Sequence, residues 1–323
     1  MDRDVVIGID GGGTNTRVLI CDLKGNKLAF AEGGSASKYK DENASDHVKA
    51  TIEAALAQAG RVTADVAMLV AGIAGYESEA DDAWITSFTD LPGLNCPKLH
   101  LNDSDIAHAG ALQNRPGIIA IAGTGTMIMG INESGMRIRN SNYHQYAYSA
   151  ARHLAYDAVF GVLGGHRDDS NEGLIAEMLQ HWQAKNLEQF QEFARQGFHP
   201  DTMKRNQLFG QFAPQVTRAA NQGSSVARRV CNRAAEQLQL GIELVGSNFD
   251  QHNVEVALIG SVICSTYMRE KLTELLIANP IKQYQVVEPQ FSPVVGAILL
   301  ANKELGISLK EMYRWENVDA NVG

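Results

Sequence analysis

Two short segments rich in glycine and threonine carry residue types that can bind a phosphate group. The first is Gly11-Gly12-Gly13-Thr14, which follows Asp10, and the second is Gly123-Thr124-Gly125-Thr126. Glycine has no Cβ atom, so backbone N–H groups in such a turn can approach phosphate oxygens, and a threonine hydroxyl adds a further donor. Both segments are therefore interpreted as candidate phosphate-binding loops.

The residues around the first loop exclude two common kinds of nucleotide site. Residues 8–17 contain no lysine, which a G-x-x-x-x-G-K-[ST] loop requires. Residues 18–21 are β-branched or apolar and lead into a Lys-Gly-Asn turn, whereas a dinucleotide-binding loop would be followed by a helix. The sequence therefore predicts a β-hairpin at this loop. A tight turn without any ligand is the alternative interpretation of a single loop.

The two loops occupy equivalent places in an internal repeat. Residues 5–10, the first loop and residues 16–21 are matched by residues 118–122, the second loop and residues 127–131. Each copy reads strand, Gly-Thr turn, strand and a further turn. Repetition in the same context favours a ligand over a plain turn, and it predicts one pattern used once in each of two domains.

The repeat and the length of 323 residues predict two α/β lobes. We expect the first lobe to span 1–117 and the second to span 118–292. A helix near 293–306, with proline in its first turn, is expected to join the first lobe. Two opposed loops are what a triphosphate in an interlobe cleft would require.

The amino-acid composition and net charge limit the classes of partner that the chain is expected to bind. The net charge is −9, from 28 Lys plus Arg against 37 Asp plus Glu, with no dense basic tract, so neither nucleic acid nor a membrane is expected to bind. No apolar run approaches the roughly 18 residues that a bilayer span needs. The four cysteines form no C-x-x-C pair, which favours a reduced, cytoplasmic setting. The oligomeric state is left open, with a homodimer as one alternative.

Several segments resemble, in order along the chain, the BadF/BadG/BcrA/BcrD-type ATPase family, and within it N-acetylglucosamine and glucosamine kinases. They are residues 7–14, 71–75, 102–103, 120–126 and 293–297, with a weaker match at 258–261. The resemblance implies two ribonuclease H-like lobes around an interlobe nucleotide cleft, as in actin, Hsp70 and hexokinase. It also implies ATP with Mg²⁺ and transfer of the γ-phosphoryl group to a hydroxyl of an amino sugar.

The resemblance assigns the catalytic base to Asp103, because phosphoryl transfer needs a carboxylate that can accept the proton of the attacking hydroxyl. The alternative is that Asp103 only caps a helix beginning at Ser104. Asp105 is a weaker candidate for the base, and its negative charge also suits a helix N-terminus.

The resemblance also implies the ligand contacts. Asp10 would hold Mg²⁺ through water, with a turn-forming aspartate as the alternative. Nucleotide contacts are expected from Gly11, Gly12, Gly13, Thr14, Asn15, Gly125, Thr126, Gly260 and Ser261. Gly260 is equally compatible with plain turn geometry. Sugar contacts are expected from Ser37, Lys38, Asn102, Gly123, Thr124 and Tyr148.

Two segments depart from the pattern of the sugar kinases. Lys38 stands where those kinases carry an asparagine that grips sugar hydroxyls. Residues 142–153 contain no acidic side chain, although the kinases carry Gly-Asp-Glu-Gly-Ser there. Lys38, His144, Gln145 and Tyr148 are expected either to form a different polar pocket, suited to an acidic or modified sugar, or to lie on a surface loop. Residues 166–169, His-Arg-Asp-Asp, are expected to form a solvated turn.

Two further functions are weighed against a sugar kinase. One is an ATP-driven activator of a dehydratase, which would need cysteines for an interfacial iron–sulfur cluster, and the scattered cysteines count against it. The other is a non-catalytic sensor on the same fold. The altered sugar segments favour the sensor, whereas both phosphate loops and Asp103 count against it.

Overall fold

The computed structural model describes residues 4–307, and these divide into two compact units. Unit 1 contains residues 4–115 and 289–307, and unit 2 contains residues 116–288. Each unit combines one sheet with helices.

The strands and helices of the described residues are numbered in chain order. The strands are β1 (Val5–Gly11), β2 (Thr16–Asp22), β3 (Lys27–Gly33), β4 (Val66–Ile73), β5 (Lys98–Leu101), β6 (Gly117–Ala122), β7 (Thr126–Ile131), β8 (Arg137–Arg139), β9 (Asn253–Ile259) and β10 (Gln283–Val287). The helices are α1 (Ala44–Ala59), α2 (Asp82–Phe88), α3 (Asp103–Leu112), α4 (Ala151–Leu163), α5 (Glu172–His181), α6 (Leu187–Arg195), α7 (Thr202–Asn221), α8 (Ser225–Gly246), α9 (Thr266–Ile277) and α10 (Pro293–Glu304).

The sheets of the two units have the same topology. The strand order is β3-β2-β1-β4-β5 in unit 1 and, read in the matching direction, β8-β7-β6-β9-β10 in unit 2. In each unit an antiparallel meander of three strands is extended by two parallel strands. The sequence repeat therefore marks the hairpin at the centre of each sheet, and the predicted α/β fold class with two related lobes is confirmed.

The central strand of unit 1 is apolar on both faces because both faces are covered. Ile7 and Ile9 pack in one hydrophobic cluster with Val48 of α1. Val6, on the opposite face, packs in another cluster with Ile298 of α10. A continuous apolar run is typical of such a doubly covered strand.

Glycines allow α10 to approach its neighbours closely. A Cβ atom on Gly8 of β1 would lie 2.8 Å from the carbonyl oxygen of Val294. A Cβ atom on Gly296 would lie 2.5 Å from the backbone nitrogen of Gly110 in α3. Real Cβ atoms do not approach backbone atoms so closely, so α3 and α10 are held together backbone to backbone. This contact fixes the helix on which Asp103 lies.

Unit 2 adds a helical layer with an aromatic core. The ring of Trp182, just after α5, lies 5.4, 5.1 and 4.9 Å from the rings of Phe190, Phe209 and Phe212, centroid to centroid. These rings join α5, α6 and α7. Large aromatic side chains supply much buried area per residue, which suits a layer built by helices alone.

Candidate active site

The first glycine loop is a four-residue turn between β1 and β2. Gly11 pairs with Thr16, and the backbone N–H of Gly12 donates to the carbonyl oxygen of Asn15 at 2.9 Å. Thr14 and Asn15 are exposed at the tip. The predicted hairpin is therefore present, with its polar side chains turned to solvent.

The loop that follows β3, residues 34–40, is hydrogen-bonded to this turn. The backbone N–H of Ala36 donates to the carbonyl oxygen of Gly12 at 3.0 Å. The hydroxyl of Ser35 donates to the carbonyl oxygen of Gly13 at 3.2 Å. The buried hydroxyl of Thr16 donates back to the carbonyl oxygen of Gly34 at 2.7 Å. These bonds hold the two loops of unit 1 in a fixed relation.

Asp10 lies inside β1 rather than in the turn, opposite Arg17 in the antiparallel register. Its Oδ2 is 3.6 Å from Nη1 of Arg17, and only 14% of its side chain is exposed. Burial raises the pKa of Asp10 from 3.8 to about 6, and repulsion by the nearby Asp103 adds to the rise, while Arg17 opposes it. The structure thus places the Asp10 and Asp103 carboxylates within electrostatic reach of each other.

The N-cap of α3 is Asn102, which rules out the alternative that Asp103 only caps this helix. The Oδ1 of Asn102 accepts from the backbone N–H of Ser104 at 3.1 Å and from its hydroxyl at 2.6 Å. Asp103 is the first residue of the helix. Asparagine is among the best N-cap residues, which explains why the helix begins one residue earlier than predicted.

The remaining polar groups of this segment complete the cap. The backbone N–H of Asn102 donates to Oδ2 of Asp105 at 3.2 Å, closing a capping box. The Nδ2 of Asn102 donates to the carbonyl oxygen of Tyr76 at 2.8 Å and to Glu77 at 3.3 Å. Both Asn102 and Asp105 are buried, whereas Asp103 is partly exposed. The cap thus leaves Asp103 as the more accessible of the two acidic residues.

The second glycine loop, in unit 2, is one residue shorter than the first. Ala122 pairs with Thr126, and the backbone N–H of Gly123 donates to the carbonyl oxygen of Gly125 at 2.9 Å. Thr126 is the first residue of β7, and its hydroxyl lies 3.3 Å from that of Ser149. The two loops are therefore related but not identical turns.

Gly260 and Ser261 lie beside the second glycine loop, residues 123–126. The backbone N–H of Val262 donates to the carbonyl oxygen of Ala122 at 3.1 Å. Gly260 has φ +108°, and a Cβ atom there would lie 2.6 Å from the same carbonyl oxygen. Backbone geometry alone therefore explains this glycine, whereas the adjacent Ser261 is exposed.

Other glycines of the two loops lack such an explanation. Gly13 and Gly125 are outside the left-handed region. A Cβ atom on Gly125 would meet no heavy atom within 4 Å, and one on Gly13 would meet only the end of a flexible lysine among its three nearest atoms. Neither backbone conformation nor rigid packing requires glycine here. Close approach by a group that binds the loop is a remaining physical reason for it.

Lys38, a predicted sugar contact, makes contacts within unit 1. Its Nζ lies 4.1 Å from the ring centroid of Trp84 and 3.6 Å from Oδ1 of Asp81. Asp81 also accepts from the indole N–H of Trp84 at 2.7 Å. Ser37, the preceding residue, is buried. The cation–π contact and the ion pair hold Lys38 against α2.

Tyr148 lies in residues 142–153, the second segment that departs from the pattern of the sugar kinases. Its side chain is 67% exposed and packs edge to face on His153. It borders a cavity of about 260 Å³ in unit 2. The lining includes Asp157 and Arg233, whose charged groups are 3.6 Å apart. His144 is exposed, while Gln145 donates to the carbonyl oxygen of Gln237 at 3.1 Å. The segment therefore combines an exposed loop with a polar cavity.

Residues 166–169 are exposed, as predicted for a solvated turn. Asp168 caps a short helical turn by accepting from the backbone N–H of Ser170 at 3.0 Å. Within residues 4–307, no group of three or more His, Cys, Asp or Glu side chains is arranged to hold a metal ion. Nor does any helix in this part of the chain have the length and apolar character needed to cross a membrane.

Mg²⁺ nevertheless fits the Asp10 region. Mg²⁺ bound with a nucleotide usually uses one or two carboxylates, substrate phosphates and water rather than a cage of protein ligands. Asp10 supplies a carboxylate there, and Asp103 lies within electrostatic reach of it; because burial chiefly raises the pKa of Asp10, a bound cation would stabilise its charged form. The residues present therefore suit a divalent cation that arrives with a phosphate.

Sequence reasoning missed two charged residues of the unit 1 site. Arg17 could have been found from the hairpin register, which places it opposite Asp10. Lys40, whose Nζ lies against Gly13, comes from a loop whose conformation no local pattern reveals.

Comparisons with known proteins show what the chain is similar to. Residues 7–147 match the BadF/BadG/BcrA/BcrD ATPase family. The predicted resemblance is thereby confirmed. An N-acetylmuramic acid/N-acetylglucosamine kinase of Clostridium acetobutylicum is 24% identical over 312 residues, which cover 93% of this chain and 98% of the relative. An N-acetyl-D-glucosamine kinase of Dictyostelium discoideum is 22% identical over 318 residues, with 93% and 98% covered.

A solved structure shows the same fold. A candidate N-acetylglucosamine kinase from Chromobacterium violaceum superposes with a TM-score of 0.71 at 23% identity. The match covers 93% of this chain and 99% of that chain. The similarity therefore extends along nearly the full length of both proteins.

Proposed function

We propose that this chain is an ATP-dependent kinase that phosphorylates a hydroxyl of an amino sugar. The observation that carries the proposal is the arrangement in unit 1, where Asp103 at the start of α3 lies within electrostatic reach of Asp10, beside the first glycine loop. A base, a metal-binding carboxylate and a phosphate-binding loop are the parts that phosphoryl transfer requires. The named kinases that cover nearly the whole chain support the same class of enzyme.

In this mechanism Asp103 accepts the proton of the attacking sugar hydroxyl. Its position in the first turn of α3 suits an ionised carboxylate, because helix N-termini stabilise negative charge. Asn102 holds that turn in place through its cap and its bond to Tyr76. We therefore assign Asn102 to positioning Asp103 rather than to a direct sugar contact.

The nucleotide is proposed to contact each glycine loop through phosphate oxygens. In unit 1 these contacts come from Gly11, Gly12, Gly13, Thr14 and Asn15. In unit 2 they come from Gly125 and Thr126, with Ser261 beside them. Asp10 would hold Mg²⁺, which neutralises charge on the transferred phosphoryl group when it is bound.

The sugar is proposed to contact Gly123, Thr124 and Tyr148. Ser37 is buried and Lys38 is held by Trp84 and Asp81, so these two are proposed to shape the loop rather than to bind hydroxyls directly. N-acetylglucosamine, glucosamine and N-acetylmuramic acid are the first substrates to test, because the relatives are named for them.

The test is a panel of these sugars with glucose, each incubated with ATP and Mg²⁺. ADP release is followed, and the product is identified by mass spectrometry. A sugar-dependent release of ADP with a product 80 Da heavier, about the mass of one phosphoryl group added for one proton lost, is expected for at least one amino sugar. Nucleotide binding without turnover for every sugar would favour the non-catalytic sensor, which the non-acidic segment 142–153 supports.

An iron–sulfur activator is disfavoured by the cysteines. Cys21 and Cys231 are buried, and burial raises the pKa of each thiol to about 12, which opposes the thiolate that a cluster requires. Three other predictions remain proposals: lobes of 1–117 and 118–292, a homodimer and a cytoplasmic setting. The division of the chain after Arg115 and after Glu288 supports the first of them.

A further inference from the structure

The ammonium group of Lys40 lies against the first glycine loop. Its Nζ, Cε and Cδ are the three heavy atoms nearest to the position of a Cβ atom on Gly13, and Nζ is only 2.6 Å from that position. Lys40 belongs to the loop after β3, not to the glycine loop itself. The first glycine loop has no lysine of its own, but Lys40 from the loop after β3 lies beside it.

The backbone around Lys40 is ordered by hydrogen bonds. Its N–H donates to the carbonyl oxygen of Ser37 at 3.0 Å, as does the N–H of Asp41. The same loop is fastened to the glycine loop by Ala36 and Ser35. The stem of Lys40 thus leaves a short turn that is itself tied to the proposed phosphate site.

Other charged side chains nearby are already paired. Lys38 is held by Trp84 and Asp81, and Arg17 bonds to Glu32 at 3.0 Å and lies near Asp10. Lys40 is exposed, and its flexible stem allows the ammonium to shift from Gly13 toward an incoming anion.

We propose that Lys40 is a phosphate ligand of the bound nucleotide. The inference rests on the proposed function and adds a residue to it. A lysine acts on phosphate as a compact point charge, which allows it to serve from a neighbouring loop without a fixed fork geometry. Lys40 would then contact phosphate from a neighbouring loop, whereas the lysine of a P-loop contacts phosphate from within its own glycine loop.

If Lys40 binds phosphate, its removal should weaken nucleotide binding more when the nucleotide carries more phosphate groups. Charge-assisted hydrogen bonds are worth enough to change a dissociation constant by roughly 10- to 100-fold. Lys40→Met is therefore expected to weaken MgATP binding by about that factor and MgADP binding by less. AMP, which carries one phosphate group, is expected to bind the variant and the wild type with similar affinity.

Lys24 provides a matched control. It is also exposed, and it lies in the turn between β2 and β3, at the end of the hairpin opposite to the glycine loop. Lys24→Met lowers the net charge of the protein by the same amount as Lys40→Met, so it reports any general electrostatic effect on nucleotide binding. Its affinity for all three nucleotides is expected to match that of the wild type.

The experiment is a calorimetric titration of wild type, Lys40→Met and Lys24→Met with MgATP, MgADP and AMP, together with the melting temperature of each protein. A selective loss of MgATP affinity in Lys40→Met, with an unchanged melting temperature, is the expected result. Equal MgATP affinities in wild type and Lys40→Met would overturn the role of Lys40 and leave the kinase proposal intact. A wild type that binds no nucleotide would overturn both.

Discussion

The side chain of Asn102 accepts a hydrogen bond from the backbone N–H of Ser104 at 3.1 Å, so α3 is capped without the help of Asp103. The cap and the candidate base are thereby separated into two adjacent residues. Asp103 can therefore be changed without removing the cap, which makes the chemistry of Asp103 testable apart from the stability of its helix.

Asp103→Asn should lower kcat by about 10²- to 10⁴-fold, the usual contribution of a general base, because an amide cannot accept the proton. ATP affinity and the melting temperature should stay close to wild type. Steady-state kinetics with a proven sugar substrate and a thermal melt are the measurements. A loss of less than about tenfold would contradict the assignment.

Asn102→Ala is the complementary control. It removes the N-cap and should lower the free energy of unfolding by about 1 kcal/mol or more, since typical cap losses are about that size. The bond to Tyr76 is lost as well. Urea denaturation should show this loss, whereas Asp103→Asn should show little change in the same measurement.

Asp10 should make stability depend on pH in the absence of nucleotide and divalent cations. Its folded pKa of about 6 exceeds the ordinary value of 3.8, so the folded state binds the proton more tightly than the unfolded state. Above pH 6 the buried charge destabilises the fold; as pH falls from 6 toward 4, protonation removes that penalty.

Asp10→Asn should therefore be more stable than wild type at pH 8 by up to about 2–3 kcal/mol, an order-of-magnitude figure from the pKa difference. The advantage should shrink through pH 6 and level off near pH 4. Urea titrations in chelator at the three pH values measure it. An advantage of the same size at every pH would show that ionisation of Asp10 is not its cause.

Gly296→Ala tests the contact between α3 and α10. The added Cβ would overlap the carbonyl oxygen of Ile106 and lie 2.5 Å from the backbone nitrogen of Gly110. Forcing two helices apart should lower the free energy of unfolding by about 3 kcal/mol or more, at the upper end of overpacking costs.

Gly173→Ala is the matched control in a helix without such a contact. A Cβ atom there meets no heavy atom within 4 Å. Its free energy of unfolding should differ from that of wild type by less than about 1 kcal/mol, the range of helix propensity. Chemical denaturation of both variants makes the comparison, and similar effects of the two substitutions would argue against the close contact.

The sequence repeat predicts the topology well because each copy contains its own hairpin. Gly-Thr turns between apolar strands determine the centre of each sheet, and a doubly apolar β1 indicates cover on both faces. The edge strand β10 was not predicted. Of its five residues only Tyr284 is buried, so its apolar pattern is too weak to indicate a strand.

The candidate site was predictable where it follows from local pattern and resemblance, as for Asp10, Asp103 and the glycines. Long-range contacts were not. Lys40 reaches Gly13 through a loop conformation, and Lys38 is held by Trp84, which is distant in sequence. Loop conformations depend on tertiary hydrogen bonds rather than on periodicity, so a single sequence does not reveal them.

Two glycines of unit 2, Gly260 and Gly125, should respond differently to the same substitution. Gly260→Ala places a Cβ 2.6 Å from the carbonyl oxygen of Ala122 at φ +108°, so it should destabilise the fold, by roughly 1–3 kcal/mol. Gly125→Ala has room for its methyl group and ordinary φ, so its melting temperature should match that of wild type.

MgATP affinity separates the role of Gly125 from that of a plain turn. If phosphate approaches the backbone of this loop, the methyl group of Gly125→Ala should obstruct it and weaken MgATP binding by about tenfold or more, a loss comparable to that of one charge-assisted hydrogen bond. Titration calorimetry on the stable variant is the measurement. Because the substitution has no steric cost within the described protein, unchanged affinity would assign this loop to turn geometry alone and restrict phosphate binding to the loop of unit 1.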